Sequence, residues 1–308
     1  DGVFDCNDFS DECPPNDRNI SSVHRMINEL PLQISMWVMM ILAFVGNLVV
    51  ITRTIHELWI MLRRSSSNLN KIKLSHKIMV LNLSVGDILM AFYLCIVVAK
   101  SVEFSESYCR HKLEWLSSPV CSLAGVLAML SSQSTVLIMS LMTTYRLYGV
   151  LRPFRNETTS IKTLIGILIL LWLVALLLAI LPLKFVVTPT KLIVFSLYSN
   201  ENGASSKFTI SVILIDLLLF VYLFVGYVVI YRATMTSKLP KTDVRSREDR
   251  AMWIRIASLI LTDFVCWVPI CLMSLLSYGG VALPDVVYAF TATILFPINS
   301  VFNPWLYS

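Results

Sequence analysis

Apolar residues gather in seven long, nearly unbroken stretches: Leu30 to Thr52, Ile78 to Ala99, Val120 to Tyr145, Leu164 to Leu183, Phe208 to Tyr231, Ile256 to Leu276 and Val286 to Tyr307. Each has about the twenty residues that a helix needs to cross a hydrocarbon layer roughly 30 Å thick, where no water can pair the backbone groups. Only Asp87, Asp216 and Asp263 interrupt them with charge. The pattern predicts an all-α membrane protein, a seven-transmembrane helix bundle over residues 30–308 preceded by a polar segment, 1–29. Between the first two stretches Leu58, Trp59, Met61 and Leu62 read as an amphipathic turn, so the first helix is expected to extend along the membrane surface.

Composition agrees. The chain is 56% hydrophobic and 15% charged with a mean hydropathy of +0.72, which excludes an ordinary water-soluble domain. Its net charge of +5 comes from cations in short connecting loops, not from a basic stripe, so nucleic acid is not an expected partner. Those cations set the orientation. With the N-terminus outside, the inner loops hold Arg53, Arg63, Arg64, Lys71, Lys73 and Lys77, then Arg146, Arg152, Arg155 and Lys162, then the group between Arg232 and Arg255. The acidic cluster from Asp1 to Asp17 and the sequon Asn19-Ile20-Ser21 then lie outside, where Asn19 can be glycosylated. Three cysteines, Cys95, Cys266 and Cys271, fall inside apolar stretches and read as packing residues, leaving Cys6, Cys13, Cys109 and Cys121 for oxidation. No HExxH, P-loop or GxSxG motif is present, and the four histidines are scattered outside the stretches, so no enzyme chemistry is expected. Both ends of the chain read as cuts in a longer protein.

Polar residues in hydrocarbon are expensive, and those present form an ordered set. Gly46-Asn47-Leu48-Val49-Val50, Leu83-Ser84-Val85-Gly86-Asp87, Trp172, Cys266-Trp267-Val268-Pro269 and Asn303-Pro304-Trp305-Leu306-Tyr307 together resemble the rhodopsin-like G-protein-coupled receptors. Thr262-Asp263-Phe264 and Phe296-Pro297-Ile298-Asn299-Ser300 look like the sixth and seventh helices of the relaxin and glycoprotein-hormone receptor group. Trp115 before Cys121, with Leu127-Ala128-Met129-Leu130-Ser131, resembles the third helix of the relaxin receptors. The outer run Asp1-Gly2-Val3-Phe4-Asp5-Cys6 to Asp11-Glu12-Cys13 looks like the C-terminal half of an LDL-receptor class A module. It departs from that pattern in having Cys13 directly after Glu12 and no leucine-rich repeats before the first span.

The resemblance implies a plasma-membrane receptor that passes a signal from a peptide or protein ligand, or from its own extracellular domain, to heterotrimeric G proteins. It implies Ca²⁺ held by carboxylates of Asp1, Asp5, Asp11 and Glu12 with the Val3 carbonyl, all hard oxygen donors. It implies Na⁺ and water in a pocket of Asp87, Thr135, Asn299 and Asn303. It makes Arg146 the latch at the inner end of the third helix, with Asp249 as its partner, although Tyr145 stands where an acidic neighbour is expected. Asp263 would bond to Asn299 or Asn303, and Asp263→Ala is expected to raise ligand-independent signalling. Trp267 and Pro269 would couple ligand to a bend in the sixth helix. Tyr227, with Tyr231 and Tyr222 as competitors, would meet Tyr307 on activation. Cys121 ordinarily bonds to the second outer loop in this class; Lys184 to Lys207 holds no cysteine, which implies a Cys109–Cys121 bridge. Ala128 and Pro297 stand where amine and retinal receptors need Asp and Lys. Asp216 is left either paired across the bundle or protonated. The alternatives are an ion or solute transporter, which predicts internal symmetry that the sequence lacks, and a non-signalling binding receptor, which has no use for Asn303-Pro304-Trp305-Leu306-Tyr307.

Overall fold

The computed structural model describes residues 26–27, 29–63, 68–105, 107–151, 160–184, 203–236, 258, 261–262, 264–276, 279, 281, 283–284, 287 and 290–307. The described elements are helical. They are α1 (Leu30–Arg63), α2 (Asn68–Glu103), α3 (Tyr108–Ser117), α4 (Pro119–Leu151), α5 (Ile161–Ile180), a 3₁₀ turn (Leu181–Lys184), α6 (Gly203–Thr236), α7 (Phe264–Leu276), a π-helical turn (Thr291–Leu295) and α8 (Ile298–Tyr307). Five of these, α1, α2, α4, α5 and α6, are long and apolar enough to cross a bilayer, and α7 and α8 fall in the sixth and seventh apolar stretches. At 34 residues α1 is about 51 Å long, well over a bilayer core, and it runs on to Arg63 as its sequence implies. There Arg63 lies over the Trp59 ring, 3.6 Å from its centroid.

The centre is α4, the third span. Of its most apolar window 67% is buried, against 22% for α1 and for α5, which form the rim. Large apolar side chains on the rim, such as Ile41 on α1 and Leu173 on α5, face outward in the way lipid requires and water forbids. α1 packs on α2, α2 on α4, α4 on α5 and α6, and α8 closes the ring against α1 and α2. Small residues permit these close approaches, because van der Waals contact is the main attraction between helices in lipid. A Cβ added at Gly86 would sit 2.8 Å from Ser134 Oγ, and one at Gly46 would sit 3.0 Å from Pro304 Cγ. Hydroxyls along α4 return to their own helix: Ser134 Oγ donates to Ser131 O at 2.9 Å and Thr143 Oγ1 to Met139 O at 2.9 Å.

The helix α3 occupies the loop between the second and third spans. Trp115 is 1% exposed and tilts onto Phe104, while His111 stacks on the same ring at 5.4 Å. Ile27, just before the first span, is buried and its carbonyl accepts from Gln33 Nε2 at 2.5 Å. Ser118 starts α4: its hydroxyl accepts the Cys121 amide at 3.1 Å, and Pro119 fills the first helical position, where no amide is needed. In the seventh span Phe296 N–H donates to Thr291 O at 2.8 Å, an i to i−5 bond that makes a π turn directly before Pro297. A hydrogen bond within the spans, from Trp172 Nε1 to Asn82 Oδ1 at 3.0 Å, ties α5 to α2.

Candidate functional site

Asp87 on α2 is completely buried. A carboxylate in that position must be paired, and here two donors come from one face of α8: Ser300 Oγ to Oδ1 at 2.9 Å and Asn303 Nδ2 to Oδ2 at 2.9 Å. Ser300 and Asn303 are three apart, one helical turn, so the same rigid element presents both. Asn47 on α1 completes the junction by donating to Ser300 O at 2.8 Å and to Ala43 O at 2.9 Å. First, second and seventh spans thus meet at one hydrogen-bonded node. Thr135 and Asn299 are buried, and a Cβ at Gly86 would stand 3.7 Å from Thr135 Oγ1, which places the third span beside the node.

The node is rich in acceptors. Asn47 Oδ1, Asn299 Oδ1, Asn303 Oδ1 and the hydroxyl oxygens of Ser84 and Ser131 are buried with no hydrogen-bond partner among the described residues. An acceptor-rich site with one carboxylate is complementary to a hard monovalent cation with water, whose oxygens and charge would fill what the protein leaves open. The residues expected for Na⁺, namely Asp87, Thr135, Asn299 and Asn303, fit that requirement, and Ser300 was not among them. Its signal lay in the one-turn spacing to Asn303.

An aromatic layer lies beside the node, towards the C-terminal end of α2. Trp267 stacks on Phe220 of α6 at 5.8 Å and meets Phe296 edge-on at 5.7 Å; Phe296 in turn meets Tyr93 of α2 at 6.5 Å. Cys266 Sγ donates to Leu295 O within the π turn. Pro269 is half-buried within α7. The sixth span therefore grips the fifth and seventh through rings, immediately before its proline.

Asp216 faces the bundle. It is 4% exposed and its Oδ2 accepts from Gln133 Nε2 of α4 at 2.9 Å, while Oδ1 has no partner among the described residues. Of the two readings the sequence left open, pairing across the bundle holds, and Gln133 is a partner that no spacing announced. Lower on the same interface Tyr222 OH and Thr144 Oγ1 share a hydrogen bond at 2.7 Å, Tyr227 packs half-buried against the core, and Tyr231 is exposed.

Near the C-terminal end of α4, Arg146 Nη2 donates to His76 Nε2 of α2 at 2.9 Å. Tyr145 OH donates to Ser75 Oγ at 3.2 Å. Asp249, Asp263, the Tyr307 side chain, Asn19 and the acidic segment with Asp1, Val3, Asp5, Asp11 and Glu12 lie outside the described residues. Cys121 is buried at the start of α4 and Cys109 is in the first turn of α3, which packs against α4; the Cys109 side chain is outside the described residues. Among the described residues no three His, Cys, Asp or Glu side chains cluster as a metal site.

This arrangement of a polar node, an aromatic layer and an arginine near the end of the third span defines a class. Residues 58–307 match the 7 transmembrane receptor (rhodopsin family), and the chain belongs to that family. It is similar to the G-protein coupled receptor GRL101 of Lymnaea stagnalis, 29% identical over 96% of this chain and 26% of that protein. It is likewise similar to relaxin receptor 1 of Rattus norvegicus, 26% identical over 96% of this chain and 39% of the relative. The lutropin-choriogonadotropic hormone receptor of Gallus gallus is 25% identical over 96% of the chain. The chain spans between 26% and 39% of the length of these curated relatives.

Proposed function

We propose that this chain is the transmembrane signalling part of a plasma-membrane receptor of the relaxin and glycoprotein-hormone group, with its N-terminus outside and heterotrimeric G proteins as its inner partner. The Asp87 node carries the reading. It joins three spans through hydrogen bonds that are either made or broken, which is the two-state element a switch requires. The aromatic layer of Trp267, Phe220 and Phe296 couples the outer half of the bundle to it. Arg146 stands at the inner mouth, where a G protein would bind.

Held by Asp87, Thr135, Asn299 and Asn303, a sodium ion would supply the positive charge that the carboxylate lacks. Asp87 then anchors Ser300 and Asn303 in the resting arrangement. On activation Tyr227 meets Tyr307, Asp249 pairs with Arg146 at rest, and Asp263 belongs to the same polar path. On the outer side Cys109 and Cys121 form a disulfide that fixes α3 around Trp115, and Asn19 is glycosylated. The ligand is a peptide or protein, or an extracellular domain acting on the cap formed by Ile27, Phe104 and Trp115. Asp1, Val3, Asp5, Asp11 and Glu12 hold Ca²⁺ in a partial LDL-receptor class A module; titration calorimetry with Ca²⁺ tests that part, and absence of binding heat contradicts it.

The purified chain in lipid nanodiscs should accelerate GTPγS uptake by at least one heterotrimer in a panel of G proteins. Rates equal to empty nanodiscs for every heterotrimer would overturn the reading.

A further inference from the structure

Arg146 is a permanent cation, half-buried, with one guanidinium nitrogen lacking any partner among the described residues. Its sequence neighbour on the N-terminal side is Tyr145, which carries no charge. The acceptor it does find is His76 Nε2, 2.9 Å away on α2. A guanidinium only donates, so the imidazole nitrogen must accept, which requires a neutral ring with its proton on Nδ1. The adjacent residues repeat the pairing, with Tyr145 OH donating to Ser75 Oγ at 3.2 Å. Ser75 is completely buried. Two consecutive residues of α2 therefore meet two consecutive residues of α4. Lys77, next to His76 on α2, pairs with Glu57 of α1 at 2.5 Å.

We propose that His76, supported by Ser75, is a resting-state latch of Arg146 that acts beside the Asp249 pair, holding this end of the third span to the second in place of the acidic neighbour that Tyr145 replaces. His76 is a positioning residue: it binds no ligand and acts by keeping Arg146 turned towards α2 and away from an incoming G protein. The latch rests on the receptor reading above, and its effect is read from the same exchange reaction.

The test compares His76→Phe, which keeps a ring but has no acceptor, with His76→Gln, whose side-chain carbonyl can still accept from Arg146. One hydrogen bond to a charged group is worth about 1.5 kcal/mol at the low end, so agonist-free GTPγS exchange by His76→Phe should rise about ten-fold. His76→Gln should stay near wild type, and Ser75→Ala should rise less than His76→Phe. Equal exchange by wild type and His76→Phe overturns the latch and leaves the receptor reading standing. Absence of exchange by every variant overturns the receptor reading. The latch is then judged by a double-mutant cycle in thermal unfolding: His76→Phe and Arg146→Met should be non-additive, and additive shifts overturn it.

Discussion

Asp87 and Asp216 are the same side chain at nearly the same burial, yet the helices around them treat the two differently. Asp87 receives two donors from α8, and nearby acceptors such as Asn303 Oδ1 have no partner among the described residues. Asp216 receives one donor, Gln133, and its other oxygen has no partner among the described residues. The first is a junction of three spans whose surplus acceptors call for positive charge. The second is a two-helix clamp that needs only an acceptor for Gln133, which an uncharged amide could provide. Burial alone does not make an aspartate a switch; the number of elements it ties together and the charge its surroundings leave unmet decide that.

Substitutions can break this contrast, beginning with the most damaging. Asp87→Leu strands the buried Ser300 hydroxyl and Asn303 amide, so the chain should lose about 3 kcal/mol of stability, seen as a lower melting temperature in nanodiscs. A melting temperature within experimental error of wild type would show that the node holds nothing together. Gln133→Leu removes the one donor that Asp216 has among the described residues and should cost about 2 kcal/mol by the same measurement. Asp87→Asn keeps an acceptor but removes the charge; a loss of about 1 kcal/mol is expected, together with loss of any difference between melting in NaCl and in choline chloride. Asp216→Asn should fall within about 0.5 kcal/mol of wild type, because Asn Oδ1 still accepts from Gln133. If Asp216→Asn is as damaging as Asp87→Asn, the two sites are equivalent and the contrast fails.

The unequal legibility of the two sites has the same origin. Seven spans could be read from hydropathy because lipid demands long apolar runs, and Asp87 with Asn303 could be read because their neighbours form recognisable runs. Gln133 lies 83 residues from Asp216 and is joined to it only by the packing of α4 on α6, which no local spacing encodes. His76 escaped for a related reason. It precedes the apolar stretch, so it reads as a loop residue, whereas α2 starts a turn and more earlier and carries it beneath Arg146. Ser300 was within reach, since one helical turn separates it from Asn303. The helix α3 was not, because its ten residues carry both charges and aromatics and its order depends on Phe104 and the start of α4.

Sodium dependence of nucleotide exchange tests the central claim, that the Asp87 node is a cation-sensitive switch controlling G-protein activation, most directly. Wild-type chain in nanodiscs with a responsive heterotrimer should exchange GTPγS more slowly in NaCl than in choline chloride of equal ionic strength, and Asp87→Asn should exchange at one rate in both. Identical wild-type rates in the two salts, or a sodium effect that survives in Asp87→Asn, would contradict it.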